Sequence, residues 1–260
     1  MITAMSMIRA SRKSGTVQSL SIIDIYTSTD YVARTGFVGI VNSSWGENVI
    51  ITILMTNDDK WISDYAYSLE NALMYMGHDV FSIRDKKQVR KGDILFLLSC
   101  TEIISKEILA KNRHNIVIHE SPLPKYKGWS PIQWQVLEGK NDIVFTLFEA
   151  GEGVDDGPVY FTEILKLKGH ELWPEIRRMQ GEKTVEMALK FVLNYHDMIA
   201  HPQLGEVSFC RRRTQEDDEL DIDKTIREQF NHFRIANNDL YPLWFKHCGH
   251  EYTLKIEKVK

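Results

Sequence analysis

The chain has 260 residues, a formal net charge of −4, and 43% hydrophobic and 26% charged residues. That length is enough for a sizeable core, and the slightly acidic balance gives no general pull toward nucleic acid or an anionic membrane. Cys100, Cys210 and Cys248 are far apart and odd in number, which favours reduced thiols over a disulfide framework. No apolar run approaches the length of a membrane span, and Arg9, Arg12, Lys13 and Arg34 accompany no continuous apolar signal core. The expected location is therefore the cytoplasm.

Residues 1–47 mix Ser, Thr and Gly with short apolar patches such as Leu20-Ser21-Ile22-Ile23 and sustain no period, so a poorly structured or weakly docked extension is expected there. From Val49 the pattern changes. Val49 to Met55 is a β-branched run that suits a strand buried on both faces. Ile62 to Met76 carries Tyr65, Leu69, Ala72, Leu73 and Met76 at roughly helical spacing, with Gly77 as a stop. Strands follow at Asp79–Ile83 and Asp93–Leu98, with a basic loop between them, then a short helix from Ser105 to Lys111 and a strand at Ile116–Ile118.

That strand reaches His119 and Glu120 and passes into a loop with three prolines, Ser121-Pro122-Leu123-Pro124-Lys125-Tyr126-Lys127-Gly128-Trp129-Ser130-Pro131. An imidazole at the mouth of a buried strand, followed by a stiffened loop, can hold a proton-transfer group still. Pro131 suits the first position of a helix running to Gly139, with Ser130 as its cap. Ile143–Phe148 is a strand, Asp155-Asp156-Gly157 a turn, and Val159 to about Leu167 another strand. A helical region from Pro174 to Ala200 has Val185, Leu189, Val192 and Leu193 as its stripe and Gly181 as a weak point. Beyond Pro202 come Arg211-Arg212-Arg213, an acidic run from Glu216 to Asp223, a helix around Thr225 to Ala236, and two strands joined by a turn at Cys248-Gly249.

Alternating strands and helices predict an α/β fold: a Rossmann-like, mainly parallel sheet with helices on both faces, plus a small C-terminal α+β appendage. The expected divisions are 1–47, 48–204 and 205–260. Function in such sheets sits beyond the carboxyl ends of the strands, where His119 lies. The turn from Thr56 to Trp61 has no glycines for a dinucleotide pyrophosphate, and the chain carries no Walker loop and no nucleophile elbow. His247-Cys248-Gly249-His250 has no second half, so it reads as a turn and no metal site is expected.

His119-Glu120-Ser121-Pro122-Leu123-Pro124-Lys125-Tyr126-Lys127-Gly128, then Pro131 and Gly139, then Gly153-Val154-Asp155-Asp156-Gly157-Pro158, resembles the signature of the folate-dependent formyltransferases. That family includes methionyl-tRNA, glycinamide ribonucleotide and sugar N-formyltransferases. Arg212-Arg213-Thr214-Gln215-Glu216-Asp217 resembles a segment of the methionyl-tRNA and sugar branches, with Gln215 where proline is usual. The likeness spans roughly residues 49–256.

The resemblance implies transfer of a formyl group from 10-formyltetrahydrofolate to a primary amine. His119 would stabilise the tetrahedral oxyanion and move protons, while Asp155 would orient it and assist deprotonation of the amine. The family's asparagine, two residues before the histidine, is here Val117. Asn115 shares a strand face with Val117 but sits about 7 Å further back, so it enters as a catalytic candidate in need of a test. For the cofactor the resemblance points to Ser99, Thr101, Ser121, Leu123, Pro124, Gly128 and Val154, and for the substrate to Lys125, Trp129, Arg212, Arg213 and Tyr241. Ser121 and Gly128 equally suit shaping the loop, and Arg211–Arg213 equally suits a solvated face paired with Glu216–Asp223.

Few residues follow the long helix and they are not strongly basic, which argues against a full RNA-binding domain and a nucleic acid partner. A nucleotide-linked amino sugar is the expected acceptor, with GDP-perosamine for O-antigen as one such sugar; a homodimer stays open, and no membrane partner is expected. Two alternatives remain: a formyltransferase-like binding protein weakened by Val117, and a hydrolase releasing formate from the same folate.

Overall fold

A computed structural model describes residues 48–56 and 61–259. The expected N-terminal extension, 1–47, lies outside the described residues, as does most of the polar turn after the first strand. In chain order the elements are β1 (Ile50–Leu54), α1 (Trp61–Tyr75), β2 (Asp79–Ile83), β3 (Gly92–Leu97), α2 (Lys106–Leu109), β4 (Asn112–His119), β5 (Lys127–Gly128), α3 (Pro131–Leu137), β6 (Asp142–Glu149), β7 (Val159–Lys166), α4 (Trp173–Asn194), β8 (Phe209–Cys210), α5 (Phe230–Ile235), β9 (Leu243–His247) and β10 (His250–Leu254).

Six strands form one sheet in the order β2-β1-β3-β4-β6-β7. The first four are parallel; β6 and β7 are antiparallel additions. The architecture is thus the expected α/β sheet. Strand alternation splits its side chains into two layers. Ile51, Ile53, Ile94, Phe96, Ile116 and Ile118 face a large core under α1 and α4, while Leu54, Leu95, Leu97 and Val117 face a smaller one with Val89, Ile104, Ile108 and Leu109. Among the described residues one face therefore carries two long helices and the other α2 and neighbouring turns.

β4 is longer than its apolar run because the polar residues before it find partners. Asn112 donates to the Arg90 carbonyl, and the Asn115 side chain donates to Glu149. On α1 the buried stripe is Ile62, Ala66, Leu69 and Leu73, one step round the helix from the expected one, and Gly77 ends it at φ 91°. α4 stops at Asn194 rather than Ala200, and Leu193, expected in its stripe, is exposed.

Two local expectations fail for a stated reason. Ser130 adopts φ 53° and its side chain caps nothing; its carbonyl instead accepts from the Gln133 and Trp134 N–H groups. The helix expected over Thr225–Ala236 is confined to Phe230–Ile235. There Thr225 and Glu228 bond each other in a preceding turn instead. Past residue 204 the chain has its own apolar cluster of Leu220, Phe233, Ala236 and Leu243. Cys248 and Gly249 make the expected turn, both at positive φ. Among the described residues no helix is long and apolar enough to cross a membrane.

Gly181 is a required close approach rather than a weak point. A Cβ there would lie 2.4 Å from ring carbons of Tyr65, where α4 crosses α1. On an exposed helix Gly→Ala stabilises by about 1 kcal/mol. Here Gly181→Ala is expected to destabilise by about 1–3 kcal/mol through overpacking. Urea unfolding measures it, and a variant as stable as the parent would refute the contact.

Candidate active site

The carboxyl ends of β3 and β4 open into a cavity of about 980 Å³, the position at which open α/β sheets hold ligands. β4 delivers His119 to it, buried to 7% exposure. The Nε2 of His119 lies 2.9 Å from the Tyr126 carbonyl and 3.5 Å from Asp155 Oδ2. A carbonyl only accepts, so Nε2 carries a proton. Asp155 Oδ2 also accepts from the Gly128 N–H at 2.8 Å. One carboxylate thus ties the histidine to the loop that follows it.

That loop is zipped to the C-terminal segment. β5 pairs in parallel with β8, the Lys127 N–H donates to the Ser208 carbonyl and the Trp129 N–H to the Cys210 carbonyl. Gly128, at φ 97°, would set a Cβ 2.7 Å from the Cys210 oxygen, so the zip needs glycine. Residues past 205 consequently hold the wall that holds His119.

The Asp155 loop has an anchored base and a returning tip. At the base Asn115 offers its carbonyl to the Ala150 N–H, and its N–H and Nδ2 donate to Glu149 Oε1 at 2.5 and 3.3 Å. From there the chain folds back along β4 by about 13 Å, four strand residues, to set Asp155 beside His119. Asp155 sits at φ 49°, and Ser99, Tyr126 and Ser130 share this left-handed region. Non-glycine residues adopt it at a cost of about 1–3 kcal/mol each where the surroundings enforce it. Of the five among the described residues, Ser99, Ser130 and Asp155 line this cavity and Tyr126 holds His119 through its carbonyl; Cys248 is the fifth.

Of the residues singled out in the sequence, Ser99, Thr101, His119, Gly128, Trp129, Val154, Asp155, Arg212, Arg213 and Tyr241 line the cavity. Asn115 does not: its Nδ2 donates to Glu149 while its Oδ1 is buried without a partner among the described residues, so it pins the Asp155 loop instead of facing the cavity. Ser121 is fully buried and accepts through its carbonyl from Thr146 Oγ1. Leu123 and Pro124, joined by a cis peptide, shape the turn below the wall. Lys125 points away, 3.7 Å from Glu206. The arginines divide. Arg211 pairs with Asp217 and, at the cavity, Arg213 with Asp218, whereas Arg212 has no acidic partner among the described residues and stacks over Trp129. Arg211 holds the Asp217 carboxyl below its ordinary range, while burial pushes Asp218 up against the opposing pull of Arg213.

Three features escaped the sequence reading. Val117, Leu97, Ile104 and Phe148 make an apolar wall beside His119. Cys100 lies in that wall, but burial pushes its thiol up to about 11, which removes the thiolate needed for nucleophilic catalysis. Gln203, half-buried in the linker after α4, donates from Nε2 to the carbonyls of Asp155 and Gly157, each at 2.8 Å. A lone glutamine in an irregular stretch carries no sequence signal; only the fold brings it under the loop.

Residues 80–180 match the family model described as Formyl transferase. The methionyl-tRNA formyltransferase of Thermosipho melanesiensis is 33% identical over 109 residues, covering 42% of this chain and 36% of that protein. The corresponding protein of Thermodesulfovibrio yellowstonii is 27% identical over 162 residues, 61% of this chain and 50% of its own length. The chain therefore spans half or less of these relatives. Among solved structures, methionyl-tRNA formyltransferase from Clostridium thermocellum superposes with a TM-score of 0.67 at 20% identity, covering 81% of this chain and 93% of that one. A 4-N formyltransferase from Francisella tularensis gives 0.59 at 18%, covering 82% and 100%. HypX from Aquifex aeolicus in complex with tetrahydrofolic acid gives 0.68 at 20%, covering 81% and 38%. At these identities the structures establish the shared fold.

Gln203→Ala leaves two carbonyls of the Asp155 loop without their donor. It is expected to speed amide hydrogen exchange across residues 151–157 and to cost about 1–3 kcal/mol of stability, with the β9–β10 hairpin unaffected. Unchanged exchange in the loop would show that Asp156, which accepts from the Gly153 N–H, suffices to hold it.

Proposed function

We propose that this chain, whose residues 80–180 match the formyl transferases, moves a formyl group from 10-formyltetrahydrofolate to the primary amine of a nucleotide-linked amino sugar. The observation that carries the reading is His119 tied to Asp155 at the mouth of a large cavity that has one apolar wall and one uncommitted arginine. The wall of Leu97, Ile104, Val117 and Phe148 suits the flat pterin of the folate, which when bound supplies the formyl group. A primary amine is protonated near neutral pH and must lose a proton before it can attack. Asp155, 3.5 Å from the imidazole, is the carboxylate placed to take it, and His119 balances the charge that develops on oxygen.

Arg212 over Trp129 at the rim, with Tyr241 near it, supports a nucleotide diphosphate: a guanidinium takes phosphate oxygens and an indole takes a base. Of the clustered arginines only Arg212 lacks an acidic partner among the described residues, and one cation at the rim is few for a tRNA backbone. The curated relatives carry the methionyl-tRNA name, so methionyl-tRNA belongs in the panel beside GDP-perosamine, the O-antigen precursor, and other amino-sugar nucleotides. Val117 favours a second reading: with hydrocarbon where the family holds an asparagine, and with the Asn115 amide committed to Glu149, the site could bind folate with little transfer or release formate to water.

Incubation with 10-formyltetrahydrofolate and that panel, with mass detection of products, distinguishes these readings. A formylated amino-sugar nucleotide is the expected product; formate without an acceptor would indicate hydrolysis, and formyl-methionyl-tRNA would overturn the sugar. His119→Ala and Asp155→Ala are each expected to lower kcat by about 10²–10⁴. Retained turnover in either removes that residue from the mechanism.

A further inference from the structure

Side chains alternate at the end of β4, so His119 and Glu120 leave the strand toward opposite faces. His119 follows Val117 toward the apolar wall. Glu120 turns toward α4, where Gln180 Nε2 donates to its Oε1 at 2.5 Å. Gln180 is 3% exposed, and its side-chain Oε1 accepts from Arg177 at 2.9 Å. The Arg177 guanidinium lies 4.2 Å from the ring centroids of both Trp61 and Trp173. Main-chain support comes from Gln135, whose Nε2 donates to the Glu120 carbonyl at 2.6 Å. Glu120, Gln180, Arg177, Trp61 and Trp173 all line the same cavity as His119.

This is a second, polar lobe of the cavity, held by a chain of contacts four residues deep. No described residue bonds Glu120 Oε2. An aligned carboxylate oxygen among amide, guanidinium and indole groups suits a hydroxyl-bearing ring: the carboxylate accepts from hydroxyls and the indole surfaces take C–H faces. An aliphatic or thioether side chain would strip water from that carboxylate and return no hydrogen bond. We infer that the α4-side lobe is the acceptor subsite and that Glu120 accepts a hydrogen bond from a ring hydroxyl of the acceptor sugar. The inference rests on the formyl-transfer reading for the identity of the acceptor and adds which residue selects it.

The test uses Glu120→Ala, and Glu120→Gln to retain a partner for Gln180, in the full chain. Titration calorimetry measures binding of the amino-sugar nucleotide, of analogues each lacking one ring hydroxyl, and of 5-formyltetrahydrofolate. Glu120→Ala is expected to weaken sugar-nucleotide binding and raise its KM by about tenfold or more, the loss of one charge-assisted hydrogen bond. Folate affinity should stay unchanged. One deoxy analogue, weakly bound by the parent, should bind parent and Glu120→Ala alike. Equal parent and variant affinity for the intact sugar nucleotide, or a discrimination between hydroxyl and deoxy forms that survives in Glu120→Ala, overturns the subsite. Binding is read without chemistry, so absence of transfer by the parent would sink the activity while these titrations still decide the subsite. A variant that has lost folate binding as well would show a collapsed cavity and overturn the separation of the two lobes.

Discussion

A single nitrogen, His119 Nε2, is the point on which the rest of the site depends. It is shared between the Tyr126 carbonyl and Asp155, and Asp155 in turn takes the Gly128 N–H. Three segments, the end of β4, the proline loop and the Asp155 loop, meet at that point. Each is then secured from outside: the proline loop by pairing with β8, and the Asp155 loop by Asn115 below and Gln203 beside it. The left-handed residues gathered around the cavity are consistent with this. A strained backbone persists only where neighbours leave it no alternative.

The sheet determines what each side of the cavity can hold. Because alternate residues of β4 face opposite ways, Val117 and His119 share an apolar wall while Ile118 and Glu120 belong to the side walled by α4. One strand end therefore borders two chemically different lobes.

The segment past residue 204 contributes more than an appendage would. It has its own small apolar cluster, yet residues 208–210 complete the wall behind His119 and Arg212 borders the cavity. The three arginines that look equivalent in sequence have separate fates. Arg211 and Arg213 are neutralised by Asp217 and Asp218, so the charge left for a ligand is that of Arg212. A run of like charges beside an acidic run does not reveal which members pair; here two pair with aspartates and the third borders the cavity.

The periodic parts of the chain were determined by its sequence alone. The β-branched runs, the Gly77 stop and the alternation of strand and helix follow from local rules of burial and backbone conformation, and the family resemblance singled out His119, the proline loop and Asp155, which the fold brings together. Tertiary structure decided the rest, for reasons that do not lie in any short window. Asn115 shares a face with His119, but Glu149 from another strand claims its amide. Gly181 looks like a flaw in a helix until Tyr65 of α1 occupies the space beside it. Gln203 and Glu120 gain meaning from partners 48 and 60 residues away. Local conformation depends on neighbours in sequence, whereas the use of a buried polar group depends on which distant partner the packing brings to it.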